Sequence, residues 1–538
     1  MHRCLQVEEL VSLICEEVYH DNNKKDESKS IVHLRNLALT ARTFLEPALN
    51  ILWRSLHSLD HLFMVLPRDT WKETEPMPIS RLDDDDGRIR LALRTHRYLK
   101  REDLDRYRFY KQKIKELVLS DEAVCVKVAN ETCWTALRHA FQMFYPSESY
   151  LPRPCILDYG AYFDDEEAWR RYDLVSKNLK SLKIQDRHPA DVNGPILMMI
   201  STLSSRAPML EDLNVLGITN KHLRTELLPS LVGQKNLRSF TCNNPITSEF
   251  ATTLGSLPHL KKLSCRLPGA SFSLSLPRHP GQRPFPSLHS ISLGTRRLAS
   301  ITHFLDKTMI AGPIRTFRAS ITWSQEAWRD DPLHTLEILA GVSASSLTSF
   351  TLWSARSYDD VLEGVAPTLS LREIRPLLAC TRLKKLHIEF DRSLDGFDNA
   401  AIQVMAAAWP RLRNIILIPF PPEQPSLCTI HCLIDLARGC RDLEGVGITF
   451  SSSPEPYDIQ GAARSLTHYS LEEMHVGYSL LDKSSVPGIA AFLAELFPNL
   501  DHISTLPKNY MRSYEEYNEN TAAWKEVLRL HGGLLRGG

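Results

Sequence analysis

The stretch Thr381-Arg-Leu-Lys-Lys-Leu-His-Ile388 sets the frame for the whole chain. Its pattern is Leu-x-x-Leu-x-Leu, with other apolar residues tolerated. Copies begin at Leu179, Leu210, Leu237, Leu260, Leu288, Ile314, Leu347, Leu383, Leu412, Leu443, Leu471 and Leu500. An earlier candidate is Ile114-Lys-Glu-Leu-Val-Leu119. The copies recur every 23 to 36 residues or about that, a period that reads as an array of supersecondary units.

Within each copy the second and third apolar positions alternate with polar ones, which predicts a short strand with one buried face. Between copies lie apolar residues at helical spacing: Ile374, Leu377 and Leu378; Leu433 and Leu436; Leu493, Leu496 and Phe497. One strand and one helix cannot bury their apolar faces alone, but stacked neighbours can. The expected fold class is therefore α/β, with parallel strands and flanking helices in an irregular solenoid. Over roughly residues 110–505 the chain resembles leucine-rich repeat proteins. That family carries an Asn or Cys three residues after the last apolar position; Arg187, Pro268 and Asp391 stand there instead. The resemblance places strands on a concave face and helices on a convex one. The concave candidates are Lys183, Lys385, His387, Glu472 and His475.

Composition narrows the function classes. The 538 residues are 43% hydrophobic and 24% charged, and Lys+Arg and Asp+Glu each total 64. A balanced charge predicts neither a nucleic-acid nor a membrane partner. Arg3, Glu8 and Glu9 interrupt the first apolar residues, so no signal peptide is expected, and no run of about 18 apolar residues is present to cross a bilayer. The eleven cysteines show no disulfide framework, which predicts a reducing cytoplasmic or nuclear setting.

Ahead of the array, residues 5–20, 31–40 and 44–56 carry helical apolar spacing. Leu10, Leu13, Ile14 and Val18 share one face of the first helix. With Leu37-Ala-Leu-Thr-Ala-Arg-Thr-Phe44 and Leu52-Trp-Arg54, this segment resembles an F-box, in a form similar to that of F-box proteins from mushroom-forming fungi. The stretch Arg101–Lys111 also resembles those proteins. Leu5-Gln-Val stands where the family opens on Leu-Pro. The resemblance implies docking on a Skp-type adaptor and its cullin complex. The candidate anchors are Leu5, Leu10, Ile14, Leu34, Leu37, Leu49, Leu52 and Trp53; some of them must instead form the segment's own core. The same three helices also read as a simple cap on the first repeat.

The expected organisation is a helical domain over 1–66, a linker and connecting helix over 67–110, repeats over 111–505, and a closing helix with a flexible tail over 506–538. Tyr98–Lys115 mixes basic and aromatic residues, but its acidic residues favour a solvated, partly packed helix over a nucleic-acid surface. Pro277–Pro286 reads as an exposed or binding loop. Walker, Rossmann, Gly-x-Ser-x-Gly and His-Glu-x-x-His patterns are absent from the sequence. Cys428, His431, Cys432 and Cys440 lack zinc-finger spacing and fall on an apolar helix, so neither cofactor nor metal is expected. The reading is a non-enzymatic substrate receptor of a Skp–cullin–F-box ubiquitin ligase, holding an unidentified protein substrate. The alternative is a free-standing binding scaffold. A regulator of a small GTPase would need a placed Asn or Arg, and none is singled out.

Overall fold

The computed structural model describes residues 7–21, 27–74, 89–94, 97–119, 127–161, 172–186, 194–217, 223–269, 284–308, 312–322, 332–355, 368–390, 393–419, 426–451, 466–505 and 514–537. Leu5, the acidic run Asp83–Asp86 and most of Pro277–Pro286 lie outside them. The chain divides into two compact units, Met1–Thr241 and Cys242–Gly538.

The first unit opens with α1 (Glu8–Asp21), α2 (Glu27–Thr40) and α3 (Arg42–Leu52), followed by the short α4 (Asp60–Phe63). Pro47 is the sixth residue of α3, past its first turn, where a proline gives up one intrahelical hydrogen bond. Eight strands follow or interleave: β1 (Ser55–Leu56), β2 (Trp71–Thr74), β3 (Ile89–Leu93), β4 (Glu116–Leu119), β5 (Lys127–Ala129), β6 (Ile156–Ala161), β7 (Ser181–Asp186) and β8 (Asp212–Leu216). A parallel sheet runs β1–β4–β6–β7–β8. β2 pairs antiparallel with β3, and β3 parallel with β5. The start of the stretch expected as a linker is thus a strand, and its Trp71 is buried. Its indole donates to the Leu66 carbonyl at 3.2 Å. α5 (Asp103–Lys113), α6 (Glu131–Phe144) and shorter helices such as Gly194–Ser201 and Leu228–Val232 fill the intervals; the Asn130 side chain caps α6 by accepting the Cys133 amide at 3.0 Å. β9 (Ser239–Pro245) carries the point of division at Thr241 and Cys242.

In the second unit, β10 (Lys262–Arg266), β11 (Ser290–Thr295), β12 (Thr316–Thr322) and β13 (Ser349–Ala355) pair in sequence order, all parallel. β14 (Thr368–Ser370) leaves that sheet and pairs with β16 (Ser393–Asp395). The main sheet continues through β15 (Lys385–Phe390), β17 (Asn414–Pro419), β18 (Gly445–Ile448), β19 (Glu473–His475) and β20 (His502–Ser504). Helices such as Leu298–Thr308, Asn399–Ala408 and Val486–Leu496 fill the intervals. Each unit is therefore an α/β array of parallel strands with intervening helices.

The repeat phrase explains the geometry. Every strand that follows one of the twelve quoted leucine or isoleucine positions begins two residues after it. Those twelve side chains are buried, as are the inward strand positions, for example Leu386 and Ile388 on β15. The residue just before each strand supplies a shared rung. The Lys384 carbonyl accepts the amides of Arg413 (2.7 Å) and Asn414 (3.0 Å), and the Arg413 carbonyl accepts those of Glu444 (2.7 Å) and Gly445 (3.0 Å). A side-chain series runs beside it. The residue before the repeat leucine donates to a carbonyl of the preceding repeat: Asn236 to Pro208 (3.0 Å), Ser287 to Pro258 (2.7 Å) and Asn499 to Tyr469 (2.7 Å). These bonds satisfy backbone acceptors that the turns would otherwise leave open.

The last helix, Tyr514–Gly537, buries Trp524 and Val527, and the Trp524 indole donates to the Ser479 carbonyl at 2.9 Å. It runs to Gly537, through residues expected to form a flexible tail.

Candidate protein-interaction surfaces

α1, α2 and α3 pack on one another around Val11, Cys15, Leu34, Ala38, Ala48 and Ile51, with Tyr19, Leu37, Phe44 and Leu52 partly buried against them. The inward face of α1 is therefore Val11 and Cys15. Leu10, Leu13 and Ile14, the side chains at helical spacing, stay exposed beside it, with Leu13 at 63%. On α2, Val32 and Leu39 are exposed, Leu39 at 74%. Exposed large apolar groups on a small bundle mark an interaction surface more often than chance.

The expected anchors separate on this geometry. Leu10 and Ile14 are accessible. Leu34 is fully buried in the bundle's own core, so it reaches no partner while the bundle is folded. Leu37 and Leu52 pack against that core, and Leu49 is half-buried. Trp53 is half-buried, and its ring centre lies 4.4 Å from that of Tyr110 on α5. Val7, Leu13, Ile31, Val32, Leu39 and Leu45 are exposed apolar groups absent from the expected set. Their signal was apolar residues on two faces of one helix, which a core-only reading leaves unexplained.

Several bonds fix the bundle to the first repeats. Arg54 grips Glu16 on α1 through both guanidinium nitrogens, at 2.6 and 3.3 Å. Lys113 on α5 reaches Glu46 and Asn50 on α3. The Arg54 carbonyl accepts the amides of Lys115 and Glu116, both at 2.9 Å. The basic and aromatic residues of α5 are thus taken up structurally. Tyr107 is buried and donates to the Tyr150 carbonyl at 2.9 Å, and Arg108 pairs with Glu148.

Beside α5 lies a cleft of about 310 Å³ lined by Lys111, Ile114, Glu148, Leu151 and Arg153. Burial pushes the Lys111 amine down to about 8, against the opposing pull of Glu148. Lys111 donates to the Ser149 carbonyl and lies 4.4 Å from the Phe141 ring centre, so its charge is spent on neighbours.

In both units the strand positions between the inward ones face away from the core. Lys183 on β7 pairs with Asp158 on β6 at 2.7 Å. In the second unit Lys385 and His387 stand on β15, and the His387 ring contacts Glu389 at 3.1 Å. His475 on β19 is half-buried; burial lowers its pKa, Glu389 opposes that, and its Nδ1 accepts the Gly477 amide at 3.1 Å. Glu472 is not on this face. It precedes β19, whose outward residues are Glu473 and His475, because alternation starts two residues after Leu471. Trp353 on β13, 41% exposed, is an outward aromatic missing from the expected set.

The cysteine group is part of the core. Cys428, Cys432 and Cys440 are buried, and the Cys440 thiol, pushed up to about 12 by burial, lies 3.5 Å from the Trp409 carbonyl. Among the described residues no three His, Cys, Asp or Glu side chains converge on a metal site. No helix among them is long and apolar enough to cross a membrane.

No family model matches this chain, and no curated protein does. Solved structures match over part of the chain. One is the yeast Rad7 and Elc1 complex: 15% identity, 64% of this chain and 81% of that one, TM-score 0.37. Another is the leucine-rich repeat-containing protein LegL7 from Legionella pneumophila: 10% identity, 69% of this chain and 97% of that one, TM-score 0.27.

Proposed function

We propose that this protein is the substrate receptor of a Skp–cullin–F-box ubiquitin ligase. α1–α3 dock on a Skp-type adaptor, and the repeat array holds the protein to be ubiquitylated. The observation that carries this reading is the apolar surface of Leu10, Leu13, Ile14 and Leu39, left open by a bundle that already has its own core. A plain cap on the array has no physical reason to expose it. The mechanism is positional: holding the target beside a charged conjugating enzyme raises its local concentration, and the receptor itself breaks no bond. Cysteines outside any disulfide among the described residues suit a reducing cytoplasm or nucleus, where we place the protein.

The test is co-purification of the full chain with the adaptor. Leu10→Asp with Leu13→Asp is expected to abolish capture while leaving circular dichroism and the unfolding midpoint in place. Undiminished capture by that double variant removes the docking face, and the free-standing scaffold then becomes the better reading.

A further inference from the structure

The outward face of the second unit is not uniform. From β10 to β15 it carries Lys262, Arg266, Arg318 and Lys385 against one acidic residue, Glu389, which is turned onto His387. The balanced charge of the whole chain conceals this local excess. No ion pair among the described residues takes Lys262, Arg318 or Lys385. Arg266 lies across β11: a Cβ on Gly294 would come within 3.1 Å of its stem, and its guanidinium donates to Thr322 on β12 at 2.8 Å.

The sheet order makes the pattern periodic across the strands, while the register sets Lys262 and Lys385 in one row and Arg318 one outward position further along. Sheet order is β10–β11–β12–β13–β15, and the free cations stand on the first, third and fifth strands. The strands between present hydroxyls: Ser290 and Ser292 on β11, Ser349 and Thr351 on β13. Alternate strands lie about 10 Å apart, and an extended chain covers about 10 Å in three residues. Trp353, next to Glu389 in register, supplies an aromatic platform at one side.

We propose that this face binds an extended, acidic protein segment that crosses the strands with aspartate or glutamate side chains at every third position. Lys262, Arg318 and Lys385 would take the anions, and the serine and threonine hydroxyls the backbone between them. The proposal rests on reading the array as the target-holding part, and it names the chemistry of the target.

The experiment uses the full chain and fluorescent peptides of the form Asp-Ser-Ser repeated, the same composition with the Asp residues clustered, a phosphoserine version and an Asn version. The spaced acidic peptide is expected to bind at least tenfold more tightly than the clustered and Asn forms, with affinity falling as salt rises. Tighter binding of the phosphoserine version than of the Asp version overturns the choice of carboxylates. Lys262→Gln, Arg318→Gln and Lys385→Gln combined should lose at least tenfold, and the Glu counterparts more, with unchanged circular dichroism and adaptor capture. The inference is overturned if wild type binds neither anionic peptide, if the combined variants bind as wild type does, or if single-stranded DNA competes better than every peptide. Intact adaptor capture alongside any of those results leaves the receptor reading standing and removes only the anionic target.

Discussion

In the repeats of the second unit, apolar side chains are inward almost wherever the repeat phrase places them: Leu383, Leu386 and Ile388 are all buried, and polar groups occupy the outward positions between. In α1–α3 the same residue types divide between two destinations. Leu34 is buried and Leu39, five residues later on the same helix, is 74% exposed. A stacked array finds its burial partner in the next repeat. A three-helix bundle with a core of six residues does not use all its apolar side chains, and the surplus stays on its surface.

The largest expected effect tests the array. Trp409 is buried and its indole donates to the Leu377 carbonyl at 3.1 Å, so Trp409→Ala should cost about 3–5 kcal/mol. Urea unfolding of the full chain followed by circular dichroism measures it; a cost near zero would mean the array is not packed as described. The bundle gives the next contrast. Leu34→Ala is expected to cost about 2–5 kcal/mol and Leu39→Ala less than about 0.5 kcal/mol. Equal costs in the same unfolding experiment would erase the distinction between core and surplus.

Lys111 sharpens the comparison at the junction of bundle and repeats. Its native amine releases its proton near pH 8, against an ordinary value of 10.5. Between those values the unfolded chain binds more protons, so stability rises with pH from about 8 to 10.5, and below about 8 the penalty is complete and constant. Lys111→Met should remove that slope from the urea midpoint; an identical slope in the variant would assign it to other groups. The smallest effect belongs to the side-chain series between repeats. Asn499→Ala should cost about 0.5–1.5 kcal/mol, because it removes one bond to the Tyr469 carbonyl. A larger loss in differential scanning would show that the bonds act as a chain and not singly.

Much of the array was legible because its periodicity is redundant: a strand two residues after each Leu needs no tertiary information. Where the phrase is degraded, legibility fails. β6 is a full member of the first unit's sheet, yet Pro154 occupies the place of its repeat leucine, and only Leu157 and Tyr159 betray it. β2 was hidden because its composition is that of a loop and the stretch leading to its partner β3 is rich in Pro and Asp. In the bundle, spacing identified an apolar face on α1 but not its direction. Val11 and Cys15, two side chains offset from that face, took the core position, and that outcome depends on how α3 crosses α1. Trp53 carried the same ambiguity, settled by Tyr110, which no local pattern connects to it.

The Arg54 carbonyl accepts two amides from the first repeat, just as Lys384 and Arg413 do further along. The helical bundle therefore ends as rung zero of the ladder it precedes, joined by the same backbone bonds that join one repeat to the next. A tether of that kind behaves as a bracket and not a rope: it fixes an angle as well as a distance. Whatever seats itself on the first strands stands at a set orientation to the exposed face of the bundle, and splicing slack into the chain at Arg54 would surrender that orientation while every residue of both surfaces stayed the same.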